Sequence, residues 1–94
     1  MNEIQVFNLQ TTDDTSEVYK FTNEITNIIT EGTWDGAEID MQIKHSNSST
    51  WVNLLNFTDN DFAIITNILP TFSYRFVLSS AGASTSLNLN MILA

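Results

Sequence analysis

The sequence predicts an all-β fold: a single antiparallel β-sandwich of about eight short strands, jelly-roll or immunoglobulin-like in strand order. Three observations carry this. Apolar and polar residues alternate in short runs. Turn-forming residues separate the runs at intervals of about ten residues. The polar fraction is built from Asn, Thr and Ser, with only 15% of residues charged. Long helices draw on Lys, Arg and Glu for their solvent faces, whereas Thr, Ile and aromatic residues suit strands.

The 94 residues form one domain, 1–94, with no linker and no internal repeat. Residues 4–9 make a first strand, with Ile4 and Val6 on one face and Phe7 and Leu9 on the other. The stretch QTTDDTS is a polar loop, because Asp13 and Asp14 can bond nearby backbone amides. Residues 17–22 make a second strand, with Val18 opposite Tyr19 and Phe21. Asn23-Glu24 is read as a two-residue turn into a third strand, 25–30. Ile25, Ile28 and Ile29 also fit a helix face, but the flanking Thr residues and the short run favour a strand. Gly32 and Gly36 bracket Trp34 in a connection.

The strongest pattern follows. Ala37, Ile39, Met41 and Ile43 point to one face, and Glu38, Asp40, Gln42 and Lys44 to the other. The loop HSNSS leads to a fifth strand, 50–57. There Trp51, Leu55 and Phe57 are assigned to one face and Val52 and Leu54 to the other, so a β-bulge or burial of both faces is expected. A turn at TDND precedes a short strand, 62–65, and Pro70 marks a strand edge or loop. Residues 72–79 set Phe72, Tyr74, Phe76 and Leu78 against Ser73, Arg75, Val77 and Ser79. After the small-residue turn SAGAST, the last strand, 86–93, sets Leu87, Leu89, Met91 and Leu93 against Ser86, Asn88, Asn90 and Ile92.

The formal net charge is −8, with three Lys and Arg against eleven Asp and Glu. Phosphate binding needs clustered cations, so nucleic acid and anionic membrane surfaces are not expected partners. There is no Cys, which removes disulfides and thiolate metal sites and suits assembly in a reducing cytoplasm. The first residues lack the basic and apolar regions of a signal peptide.

No catalytic, cofactor or metal residues are assigned. His45 is the only histidine, and nothing fixes it beside a Ser and an acid as a triad requires. Asp59-Asn60-Asp61 is a calcium-like fragment without the rest of an EF-hand, and reads as a turn. Glu38 and Asp40 share a strand face, but such pairs occur in any acidic strand. Trp34, Trp51, Tyr19 and Tyr74 either stack on sugar rings or anchor the core or a subunit contact. Trp34 is the possible ligand-facing aromatic, because it sits in a loop between glycines.

The run Gly32-Thr33-Trp34-Asp35-Gly36-Ala37, the alternating Ile39-Met41-Ile43 and then Thr50-Trp51-Val52 resemble a pattern in small structural proteins of tailed-bacteriophage virions. Tyr74-Arg75-Phe76-Val77-Leu78, a small-residue turn and a final strand continue the likeness to Leu93. The polar turn after Lys44 is shorter here and lacks Gly. This resemblance implies a β-sandwich with a structural or binding role in a capsid, head fibre or tail, and no enzymatic activity.

The expectation is therefore a capsid decoration (cement) protein located in the virion, assembled in the bacterial host cytoplasm, and bridging subunits of the major capsid protein or other virion proteins. A homo-oligomer is expected, with a trimer favoured. Val52, Leu54, Val77 and Ile92 are the candidate intersubunit contacts, and the N-terminal strand is a candidate for strand addition to a neighbour. The alternative is a carbohydrate-binding or host-attachment module on a fibre or tail, carried by Trp34.

Overall fold

The computed structural model describes residues 2–20, 26–66 and 71–93. The strands are β1 (Asn2–Gln10), β2 (Asp14–Thr15), β3 (Tyr19–Lys20), β4 (Thr26–Thr33), β5 (Glu38–His45), β6 (Val52–Phe57), β7 (Asp61–Ile65), β8 (Phe72–Ser79) and β9 (Ser86–Leu93). They form two antiparallel sheets. One has the order β1-β9-β4-β7; the other has β2-β8-β5-β6, with β3 also paired to β8.

This order decides between the two expected topologies. In an immunoglobulin sandwich the first two strands share a sheet. Here β1 and β2 lie in opposite sheets, and the first strand pairs with the last. The pairs β1–β9, β2/β3–β8, β4–β7 and β5–β6 nest like one long hairpin. Rolling it joins β9 to β4 and β8 to β5. That is a jelly roll.

The core lies between the sheets and follows the period-two pattern. Ile28, Leu87, Leu89 and Met91 come from one sheet, and Ile39, Met41, Phe76 and Leu78 from the other; each is at most 1% exposed. Each such side chain stabilises the fold by about 1.5–3 kcal/mol relative to exposure. Phe7, Phe57 and Tyr74 complete this core, and Ala37, Ile43 and Phe72 extend its rows.

Several expectations shift in detail. The expected third strand runs on through Gly32 and Thr33, which pair with Leu87 and Ser86. Thr26, Ile28 and Thr30 form its buried row, with Ile29 half-buried on the other face. The first strand is irregular. Ile4 pairs with Met91, Phe7 with Leu89 and Gln10 with Leu87, so two extra residues are absorbed in β1. The irregularity turns Phe7 into the core and leaves Leu9 64% exposed. β1, the candidate for strand addition, pairs with β9 in its own sheet and stands at the edge of that sheet. The Asn23-Glu24 turn and Pro70 lie outside the described residues.

Candidate functional site

Two surfaces stand out, and both follow from how the strands are placed. The first is the outer face of the β2-β8-β5-β6 sheet. Core residues alternate inward on β5 and β8, so Glu38, Asp40, Gln42 and Lys44 face outward beside Ser79, Val77, Arg75 and Ser73 respectively. On β3, Tyr19 stacks against Tyr74 at 5.5 Å between ring centres. Lys20 therefore faces outward beside Ser73.

Trp51 joins this face, which corrects its assignment to the side of Leu55 and Phe57. Met41 pairs with Leu55 and Gln42 with Asn53, so Leu54 is an extra, unpaired residue. Of the two explanations for the blurred alternation, a β-bulge or burial of both faces, the bulge is present, and it reverses the parity of the residues before it. The Trp51 ring lies 4.3 Å from the Arg75 guanidinium carbon and 5.3 Å from Lys44 Nζ. Arg75 Nε donates to Gln42 Oε1 at 2.8 Å, and Gln42 Nε2 donates to Asn53 Oδ1 at 3.0 Å. At the other end of the face, Asn56 Nδ2 donates to Asp40 Oδ1 at 2.8 Å and to Glu38 Oε1 at 3.3 Å. The face is thus largely polar, interrupted by Trp51 and Val77, with cations at one end and carboxylates at the other.

The second surface is the side of the sandwich bounded by β6 and β7, the two edge strands joined by residues 58–60. Of six large apolar side chains exposed among the described residues, Val52, Leu54, Phe62 and Ile64 are on these two strands. Edge strands usually carry charges that discourage pairing with other chains. β6 carries none, and the only charge on β7 is Asp61. The apolar character continues onto the outer face of that sheet. Phe62 pairs with Ile29, and Ile64 and Ile92 both pair with Asn27.

The expected contact residues are therefore dispersed. Val52 and Leu54 lie on the β6 edge, 57% and 40% exposed. Val77 and Ile92 are half-buried on the outer faces of opposite sheets. Phe62 and Ile64, not among the expected contacts, are also exposed, and their alternation with Ala63 and Ile65 is visible in the sequence.

Trp34 lies where the connections between the sheets converge. It is half-buried and packs against the core. Its indole N–H donates to Asn60 Oδ1 at 3.0 Å, and its carbonyl accepts from Thr85 Oγ1 at 2.8 Å. Asp35 Oδ2 accepts from Ser84 N and Asp13 Oδ1 from Ala81 N, both at 2.8 Å. These bonds tie the β1–β2, β4–β5, β6–β7 and β8–β9 connections together. Asp59 and Asp61 each accept from the amide of the next residue, at 2.8 and 2.7 Å. No group of three His, Cys, Asp or Glu residues is arranged to hold a metal among the described residues. His45 packs edge-on against Phe72 at 5.1 Å and its Nδ1 accepts from Asn47 N.

A groove of about 510 Å³ opens on the opposite side of the sandwich, between β1 and the β2–β3 segment. Ile4, Val6, Phe7 and Tyr19 line it with Asp14 and Glu17. Burial, and secondarily Glu17, raise the Tyr19 hydroxyl pKa. Burial, and secondarily Tyr19, push Tyr74 up to about 12.

No protein-family model matches the chain, and a search of curated proteins finds no match either.

Proposed function

We propose that this chain is a non-enzymatic structural protein of a tailed-bacteriophage virion, most specifically a capsid decoration protein that docks across neighbouring capsid subunits. The observation that carries the reading is the apolar β6–β7 side. Val52, Leu54, Phe62 and Ile64 stand exposed there on two edge strands with almost no charge. A monomer at −8 is otherwise well protected against association. Leaving this side apolar is costly unless a partner covers it. The resemblance of residues 32–93 to small virion proteins points the same way. Jelly rolls occur in viral capsid and lectin domains alike, so the fold alone does not choose between them.

The alternative is a carbohydrate-binding or host-attachment module. It draws on open aromatic rings, and Trp34 is half-buried with its N–H engaged. The docking reading is therefore favoured.

Co-sedimentation with expanded capsids of the encoding phage tests it. The wild-type chain is expected to bind in fixed stoichiometry to the capsid subunit and to raise the temperature at which the particle releases its genome. Phe62→Ser with Ile64→Ser should abolish binding while leaving the isolated chain folded. Failure of the wild-type chain to bind capsids, together with saturable binding to host glycans, would establish the attachment reading instead.

A further inference from the structure

Lys20, Lys44 and Arg75 are the only Lys and Arg residues in the chain, and the fold brings all three to one end of one sheet face. Lys20 and Lys44 flank Ser73 from strands on either side of it. Arg75 lies two residues along β8, so the three Cα atoms fall within about 10 Å of one another. The sequence offers eleven carboxylates. None forms an ion pair with these cations among the described residues.

Arg75 is instead held by neutral groups. The Trp51 ring covers its guanidinium and Gln42 takes its Nε–H. Gln42 is in turn fixed by Asn53. A guanidinium restrained in this way leaves its two terminal nitrogens to take a carboxylate in a two-pronged bond. Lys44 lies against the same ring and supplies a second positive charge.

The complementary group is on the same face. Outward residues along β5 read Glu38, Asp40, Gln42, Lys44. Asn56 holds the two carboxylates together at the far end. Turned end for end, a second copy of this strip sets acids against cations and cations against acids. This is the requirement of a self-complementary contact, in which residue i meets j and j meets i. Trp and Arg are also the residues that most often anchor protein interfaces.

We propose that the outer face of this sheet is a self-recognition surface, on which Glu38 and Asp40 of a second copy dock against Lys44 and Arg75. The contact goes beyond the capsid-docking reading, because it uses the sheet face and not the β6–β7 edges. Variants of the two surfaces therefore fail independently.

Sedimentation equilibrium at physiological ionic strength, where the Debye length is about 8 Å, provides the test. The wild-type chain is expected to self-associate. Lys44→Glu with Arg75→Glu, and separately Glu38→Lys with Asp40→Lys, should each weaken self-association by about tenfold or more. Mixing the two variants should restore association, because each then presents the charge the other lacks. Circular dichroism and the unfolding midpoint identify any variant that has lost its fold, and Lys44→Gln with Arg75→Gln then replaces it as the milder test of the cationic end.

A wild-type chain that stays monomeric at high concentration would overturn the proposal, as would reversed-charge variants that associate like wild type or fail to complement each other. Binding of polygalacturonate that depends on Arg75, by a chain that remains monomeric, would also overturn it. The carboxylate would then come from a glycan.

Discussion

Trp34 donates its indole N–H to Asn60 Oδ1 at 3.0 Å, joining the β4–β5 connection to the β6–β7 turn. The same oxygen accepts the Gly32 amide at 3.0 Å. One side chain thereby secures two donors from the strand end that leads from one sheet to the other. Asn60→Ala should cost about 1–2 kcal/mol, because both donors lose a protein acceptor at once. Urea unfolding reads the loss. The emission of Trp34, isolated in a Trp51→Phe background, should shift to the red.

Gly32 combines a positive φ with a backbone clash for any added side chain. Its φ is +135, and a Cβ there would collide with the carbonyl oxygen of Ser86 on the paired strand β9. Gly32→Ala should therefore destabilise by about 3 kcal/mol or more, combining strain with displacement of the β4–β9 ladder. Gly36 is the control. Its φ is +83, but beyond its chain neighbours the nearest atom to an added Cβ is Ser80 O at 3.9 Å. Gly36→Ala should cost about 1 kcal/mol. The ranking is checked by denaturant midpoints at constant m-value.

Stability should fall in alkali through the tyrosines. Tyr74 titrates at about 12, raised by burial and then by Tyr19. A phenol raised above its unfolded value of about 10 keeps its proton in the folded state after the unfolded chain has lost it. Its contribution is whole below about pH 10 and disappears as the pH rises toward about 12. The loss attributable to Tyr74 should be on the order of 2 kcal/mol. Unfolding measured at about pH 8 and about pH 11 should show the decline, and Tyr74→Phe should remove most of it.

The two tryptophans should separate in their effects. Trp51→Ala removes contacts to Lys44 and Arg75 on an outer face and should cost about 1 kcal/mol. Trp34→Ala removes a ring packed against the core and its bond to Asn60, and should cost about 3 kcal/mol. Equal costs, measured by urea unfolding, would contradict the placement of Trp51 outside the core.

The edge residues should behave oppositely to the core. Leu89 is fully buried, and Leu89→Ala should cost about 2–5 kcal/mol. Phe62→Ser and Ile64→Ser, at positions 55% and 56% exposed, should change monomer stability by at most about 1 kcal/mol. A large loss from either would mean that the β7 side serves the fold and is not reserved for a partner.

Most strands and most of the core were legible in local alternation. Period-two alternation is a local property of an extended backbone, so it placed Ile39, Met41, Phe76, Leu78, Leu87, Leu89 and Met91 inward and Lys44 and Arg75 outward. The blurred alternation of residues 50–57 allowed either a bulge or burial of both faces, and it could not place the bulge at Leu54. A displacement of one residue reverses every side chain beyond it, and Trp51 was accordingly assigned to the wrong face. Which strands are neighbours was not legible locally. The jelly-roll order, the gathering of Lys20, Lys44 and Arg75, the exposure of the β6 and β7 edges and the engagement of Trp34 by Asn60 all depend on pairings between segments distant in sequence. Such pairings are set by how two sheets close over one core, and no local pattern encodes them.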